Sequence, residues 1–102
     1  MAEAQTGSAF VAVSPDVYRL QAALTFTTVA GLRKEGVRLI ESAAKQLTLE
    51  LSAVPQVDSA GLALLIDWLA TARARSRTLH YAQPPATLLS LAQLSDVEKL
   101  FA

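Results

Sequence analysis

The chain has 102 residues, of which 52% are hydrophobic, and its nine basic and nine acidic side chains give no formal net charge. This length predicts one domain with one core, and the hydrophobic content argues against disorder. The balanced charge argues against a nucleic-acid-binding domain, and the absence of cysteine excludes disulfides and thiolate metal sites.

The N-terminal residues 1–8 are small and polar, so we expect them to be flexible and the folded domain to span residues 9–102. They have neither the basic start nor the apolar stretch of a signal peptide. The longest apolar run, residues 61–66, is too short to span a bilayer, which takes about 20 residues. We therefore expect a soluble cytoplasmic domain.

Two strands and a helix are predicted in the first half. Residues 10–13 and 17–24 read as strands separated by a turn at Ser14-Pro15-Asp16. Thr27 or Thr28 is expected to cap the helix that follows. Its apolar residues recur every three or four positions, at Val29, Leu32, Gly36, Leu39, Ile40 and Ala43.

The second half continues the alternation of strands and helices. Residues 47–51 alternate apolar and polar side chains as a strand does, and a helix is expected from Ser59 to about Arg75. A short strand over residues 78–81 and a third helix follow, with a last helical turn ending near Phe101. The order predicts an α/β fold with a mixed sheet of four to five strands and helices mainly on one face.

The spacing of the apolar residues predicts which side chains form the core. These are Leu47, Leu49, Leu51, Leu62, Leu65, Ile66 and Leu69. Leu64 and Trp68 fall off the centre of this helix face, so we expect Trp68 to be partly exposed. An exposed tryptophan beside a leucine is typical of a partner-binding site.

The sequence contains no recognisable catalytic constellation. His80 is the only histidine, the four glycines form no phosphate-binding loop, and Asp58 and Asp67 are not spaced as an acid–base pair. We therefore expect no enzymatic activity, no cofactor and no metal site.

The segment Asp58-Ser59-Ala60-Gly61 stands directly before the second helix. Asp58 or Ser59 can cap the helix by accepting a hydrogen bond from a free backbone N–H. A serine at this end would also lie where the helix dipole favours a phosphate, and Gly61 would let another surface approach the backbone. A cap alone, and a cap combined with a docking site, are both compatible with these residues.

The stretch LTLELSAVPQVDSAGLALLIDWL, residues 47–69, resembles the signature of the STAS domain family, whose members include anti-sigma-factor antagonists. In that family a strand leads into Asp-Ser-Ser-Gly or Asp-Thr-Gly-Gly and then an apolar helix. The resemblance extends over nearly all of the chain from Tyr18 onward and implies the STAS fold.

Two branches of the family imply different functions. The sequence from Asp58 to Leu65 is similar to the small STAS subunit of the lipid-asymmetry (Mla) ABC transporter of Gram-negative bacteria. That branch implies a partner, the ATPase subunit, in a complex with an inner-membrane permease, and no direct membrane insertion. Its docking residues here would be Asp58, Ser59, Ala60, Gly61, Leu64 and Trp68. In the other branch an anti-sigma kinase phosphorylates the hydroxyl after the aspartate, which here is Ser59.

Overall fold

The computed structural model describes residues 9–101, which form four strands and three α-helices followed by a short 3-10 helix. The expected flexibility of residues 1–8 lies outside the described residues. The elements are β1 (Phe10–Ser14), β2 (Val17–Leu20), α1 (Val29–Ser42), β3 (Gln46–Glu50), α2 (Ser59–Ala74), β4 (Thr78–Ala82), α3 (Ala86–Leu94) and the 3-10 helix Glu98–Phe101. The predicted order of elements is confirmed, although β2 ends earlier than the sequence pattern suggested.

The strands form one mixed sheet in the order β1-β2-β3-β4. Strands β1 and β2 are antiparallel and joined by the predicted turn, in which Asp16 takes a φ of 64°. Aspartate tolerates this left-handed conformation better than most residues do. Strands β2, β3 and β4 are parallel, and α1 and α2 make the crossovers between them.

Alternation along the strands divides the sheet into an apolar and a polar face. Leu47, Leu49 and Tyr81 are buried, and the Tyr81 hydroxyl donates to the Leu65 carbonyl of α2 at 2.7 Å. The side chains between them form the other face, where Arg19 pairs with Glu50 at 2.6 Å. The α/β class and the helices on one face are as predicted.

The core contains Leu47 and Leu49 of β3, Leu51 directly after it, and Leu62 and Leu65 of α2, as predicted. Ile66 and Leu69 are only partly buried and pack against its edge. The prediction that Leu64 and Trp68 lie off the core was wrong. Trp68 is 0% exposed and Leu64 is 5% exposed.

The absence of a side chain at Gly36 of α1 makes room for the buried Trp68 ring. A Cβ atom at Gly36 would overlap the indole ring, so the ring occupies the space that any larger residue would fill. The Trp68 Nε1–H donates to the Arg33 carbonyl at 3.3 Å, and the Phe10 ring meets the indole at 61° with centroids 5.9 Å apart. Trp68 therefore joins α1, α2 and β1.

Candidate docking surface at the start of the second helix

Two loops meet at the carboxyl ends of the parallel strands. The loop after β2 and the loop after β3 pair through a bridge between Leu24 and Val57. The Leu24 N–H donates to the Gln56 carbonyl at 2.8 Å, and the Asp58 N–H donates to the Leu24 carbonyl at 3.0 Å. These bonds make the two loops one backbone unit at the start of α2.

Asp58 is the N-cap of α2 and also holds the neighbouring loop. Its Oδ1 accepts from the backbone N–H groups of Ala60 at 2.9 Å and Gly61 at 3.1 Å. Its Oδ2 accepts from the Phe26 N–H at 3.0 Å. The bond from Phe26, followed by that from Gly61, lowers the pKa of the Asp58 carboxyl. Of the two capping residues that the sequence left open, the structure selects Asp58.

The packing of the chain itself requires a residue without a side chain at Gly61. A Cβ atom at this position would overlap the Leu24 carbonyl oxygen, which itself accepts from the Asp58 N–H. The surface that approaches Gly61 is therefore the chain's own β2–α1 loop. The close approach expected at Gly61 is present, but it is made within the chain itself.

Helix α1 begins after Thr28, at the predicted place, but the Thr28 side chain does not cap it. Its Oγ1 instead accepts from the Thr25 N–H at 2.9 Å and lies 2.7 Å from the Ala23 carbonyl, to which it donates. These bonds close the loop before α1 and, with Asp58, fix the backbone on either side of Phe26.

Phe26 is the most exposed aromatic side chain of this region and was not singled out from the sequence. It is 80% exposed although its backbone is held by Asp58. The available signal was a phenylalanine among threonines in a loop, outside any apolar period. An exposed aromatic on a fixed backbone is typical of an interface anchor.

A shallow apolar groove lies between α1 and α2 at the same end of the domain. It encloses about 280 Å³ and is lined mainly by small apolar side chains, with Leu64 exposing a small part of its surface. An ion pair between Arg33 and Asp67, 3.1 Å long, borders it. We call the combined area the α1–α2 surface, formed by Phe26, Val29, Ala30, Ser59, Ala60 and Ala63.

The six predicted docking residues differ in how far they reach the surface. Ser59 is exposed as the first residue of α2, and Ala60 is partly exposed in the groove. Asp58 is partly buried and holds the two loops together, while Gly61, Leu64 and Trp68 are buried. The structure thus brings Ser59 and Ala60 together with Phe26 and places the tryptophan elsewhere.

The described part of the chain contains no cluster of metal-binding side chains. Within residues 9–101 no three histidine, cysteine or acidic side chains are grouped so that they could hold a metal ion. His80 is exposed on β4. None of the helices described is both long enough and apolar enough to cross a bilayer.

The four-stranded mixed sheet, with its three helices and a helix capped by Asp58, defines a STAS-like α/β domain. The family model described as "Mlab, STAS domain" matches residues 11–102. The chain therefore belongs to this STAS domain family, whose domains are typically non-catalytic. No curated protein sequence matches the chain.

Solved structures share the fold at low sequence identity. The anti-sigma-factor antagonist SpoIIAA in its unphosphorylated form matches with a TM-score of 0.70 and 19% identity over 91% of this chain and 84% of that one. A Thermotoga maritima protein described as an anti-sigma-factor antagonist matches with a TM-score of 0.72 and 17% identity, covering 90% and 80%. The phosphorylated form of SpoIIAA from Bacillus gives 0.64 and 14%, covering 91% and 86%.

Proposed function

We propose that this protein is a non-catalytic accessory subunit of an Mla-type phospholipid-trafficking ABC transporter. It binds the cytoplasmic ATPase subunit, which is assembled with an inner-membrane permease, and so contributes to outer-membrane lipid asymmetry. The observation that carries the proposal is the match of residues 11–102 to the Mlab-type STAS family. On this proposal the protein is cytoplasmic and is held at the inner membrane through its partner.

The α1–α2 surface is the proposed contact with the ATPase. Phe26 is exposed on a fixed backbone, and Ala30, Ala60 and Ala63 of the groove leave room for a partner's side chains. A large exposed aromatic beside a shallow apolar groove fits the centre of an interface, where a few residues dominate the affinity. By binding one conformation of the ATPase better than another, the subunit would shift the population of its partner without chemistry.

Ser59 would lie at the edge of this interface without covalent change. Threonine at position 59 can keep the hydroxyl on an exposed helix start, so Ser59→Thr should bind the partner nearly as well as the parent. Ser59→Asp would place an unpaired carboxylate in a desolvated contact, which is costly. Partner affinity should therefore fall more for Ser59→Asp than for Ser59→Thr, while both melting curves stay close to that of the parent.

The main experiment measures affinity for the purified ATPase–permease complex. Phe26→Ala should weaken binding at least about tenfold, as expected for an interface anchor. Leu94→Ala is the matched control, because Leu94 is 86% exposed but lies on α3, outside the α1–α2 surface. Equal affinity of the parent and Phe26→Ala would contradict the proposed contact. Failure of the parent to bind any such complex would contradict the proposed function.

A second candidate is an anti-sigma-factor antagonist that a partner kinase switches by phosphorylating Ser59. The observation in its favour is that Ser59 is exposed at the first position of α2, where the positive end of the helix dipole stabilises a phosphate. Intact mass of the protein from its native cell distinguishes the two candidates. A mass increase of one phosphate that is lost in Ser59→Ala, with a kinase as the co-purified partner, would favour the second.

A further inference from the structure

A second groove lies at the other end of α2, away from the α1–α2 surface. It consists of two adjoining depressions of about 350 Å³ and about 520 Å³ that share Leu69, Arg73 and Leu100. The first is otherwise aliphatic, with Ile66, Ala70 and Ala74. The second adds two more cationic side chains and two hydroxyls. These are Arg77, Lys99, Ser76 and Thr78. We call the whole the basic groove.

Within the described residues 9–101, the cations of the basic groove form no ion pair with a carboxylate. Arg73 and Lys99 are exposed, and among residues 9–101 neither forms an ion pair. All three guanidinium nitrogens of Arg77 donate to backbone carbonyls, those of Ala43, Arg75 and Glu41. These bonds fix the guanidinium without cancelling its charge, so Arg73 and Lys99 supply the donors that face solvent. Among the residues that the structure describes, no aspartate or glutamate lines either depression.

The neighbouring Arg75 shows the ordinary arrangement for an exposed arginine. Its guanidinium pairs with the Glu41 carboxylate at 2.6 Å, and it takes no part in the groove. A cation near the end of α2, such as Arg73, also complements the helix dipole. The dipole does not account for Lys99 and Leu100, which reach the same groove from the 3-10 helix. Two separate elements thus bring cations and aliphatic side chains together.

We propose that the basic groove binds the headgroup region of an anionic phospholipid at a membrane surface. Arginine, lysine and hydroxyl groups are the usual donors to phosphate oxygens, and the guanidinium can contact two of them at once. The aliphatic wall formed by Ile66, Leu69 and Leu100 suits the glycerol and first acyl carbons of the same molecule. A small inorganic anion would leave this wall without a contact, and a neutral apolar ligand would leave the cations without one. This inference does not depend on ATPase binding.

Vesicle binding of the full chain tests the proposal. The protein should co-sediment with vesicles of phosphatidylcholine mixed with phosphatidylglycerol, and much less with phosphatidylcholine alone. Arg73→Glu and Lys99→Glu should each weaken this binding about fivefold or more, because the loss of one cation near an anionic membrane surface lowers the binding constant by about that factor. Arg38→Glu is the control: it makes the same charge change on the exposed side of α1, outside the groove, and should change binding less than twofold.

Further arms separate a lipid site from other anion sites. Leu100→Ser should weaken binding to the anionic vesicles, whereas Leu94→Ser, which removes an exposed leucine on α3, should not. Equal weakening by Arg38→Glu and Arg73→Glu would overturn the site. The site would also be overturned if the protein bound inorganic phosphate or polyglutamate but not the anionic vesicles. The variants should keep their affinity for the ATPase complex, so this proposal and the proposed function can fail separately.

Discussion

Trp68 packs between α1 and α2, Phe26 lies in the loop before α1, and the fold uses these two aromatic residues in opposite ways. Trp68 is 0% exposed, whereas Phe26 is 80% exposed on a loop of fixed backbone. The larger ring is buried because Gly36 leaves it a space of the right size. Whether an aromatic residue serves the core or a surface is thus decided by the volume of its neighbours.

The first prediction removes the buried member of the pair. Trp68→Ala should lower the free energy of unfolding by about 3–5 kcal/mol, because it leaves a large cavity between α1, α2 and β1. Urea denaturation followed by circular dichroism measures this loss. Leu94→Ala, on the exposed side of α3, should change stability by no more than about 0.5 kcal/mol. Equal losses in the two variants would contradict the position of the indole ring.

The second prediction fills the space that accommodates the ring. Gly36→Ala should cost about 1–3 kcal/mol, because the new methyl group overlaps the indole ring of Trp68. Gly31→Ala in the same helix is the matched control, since nothing lies within 4 Å of its added Cβ atom. That control should stabilise the protein by up to about 1 kcal/mol through helix propensity alone. Stabilisation by both substitutions would mean that Gly36 does not face the ring.

The third prediction concerns the carboxylate that joins the loop of Phe26 to α2. The folded state lowers the Asp58 pKa, so this group stabilises the fold above its unfolded pKa of about 3.9 and loses that effect as the pH falls through the folded value. Asp58→Asn keeps one acceptor for the helix cap but cannot accept from both sides. Its deficit relative to the parent should therefore be present at neutral pH and shrink below about pH 4. A deficit unchanged between neutral pH and pH 3 would contradict the lowered pKa.

The smallest effects on stability are expected at the exposed surface. Phe26→Ala and Ser59→Ala should each change the free energy of unfolding by no more than about 0.5 kcal/mol, because both side chains are exposed. For Ser59 this is smaller than the loss of about 1 kcal/mol that is typical of a capping residue, because Asp58 supplies the cap. Thermal melting of the two variants measures this. A loss above about 1 kcal/mol at position 59 would indicate a structural bond from its hydroxyl.

Sequence periodicity predicted the strands well because each strand has one buried face. Leu47 and Leu49 alternate with polar residues, and the sheet buries them as expected. Helix α2 contacts α1, β4 and α3, so its buried arc is wide and its centre follows from tertiary packing. The arc is centred on residues 61, 65, 68 and 72, roughly 80° around the helix from the predicted face. Trp68 lies inside this arc.

The candidate site was only partly predictable for a related reason. Asp58 and Ser59 were identified because a cap is a local feature of sequence. Phe26 was missed because it reaches the site through a hydrogen bond to a residue 32 positions away. One local signal was available for the core: Gly36 in the middle of a helix costs about 1 kcal/mol relative to alanine, which suggests that a large side chain packs against it.

The bond from the Phe26 amide to Asp58 has a consequence for association kinetics. A loop that must become ordered on binding loses conformational entropy at that moment, which weakens the complex and slows its formation. Here the backbone around Phe26 is already ordered in the free protein by Asp58 and Thr28. An ATPase that recognises this loop would meet it in its bound form, and encounters between the two proteins would need no slow rearrangement of the STAS domain.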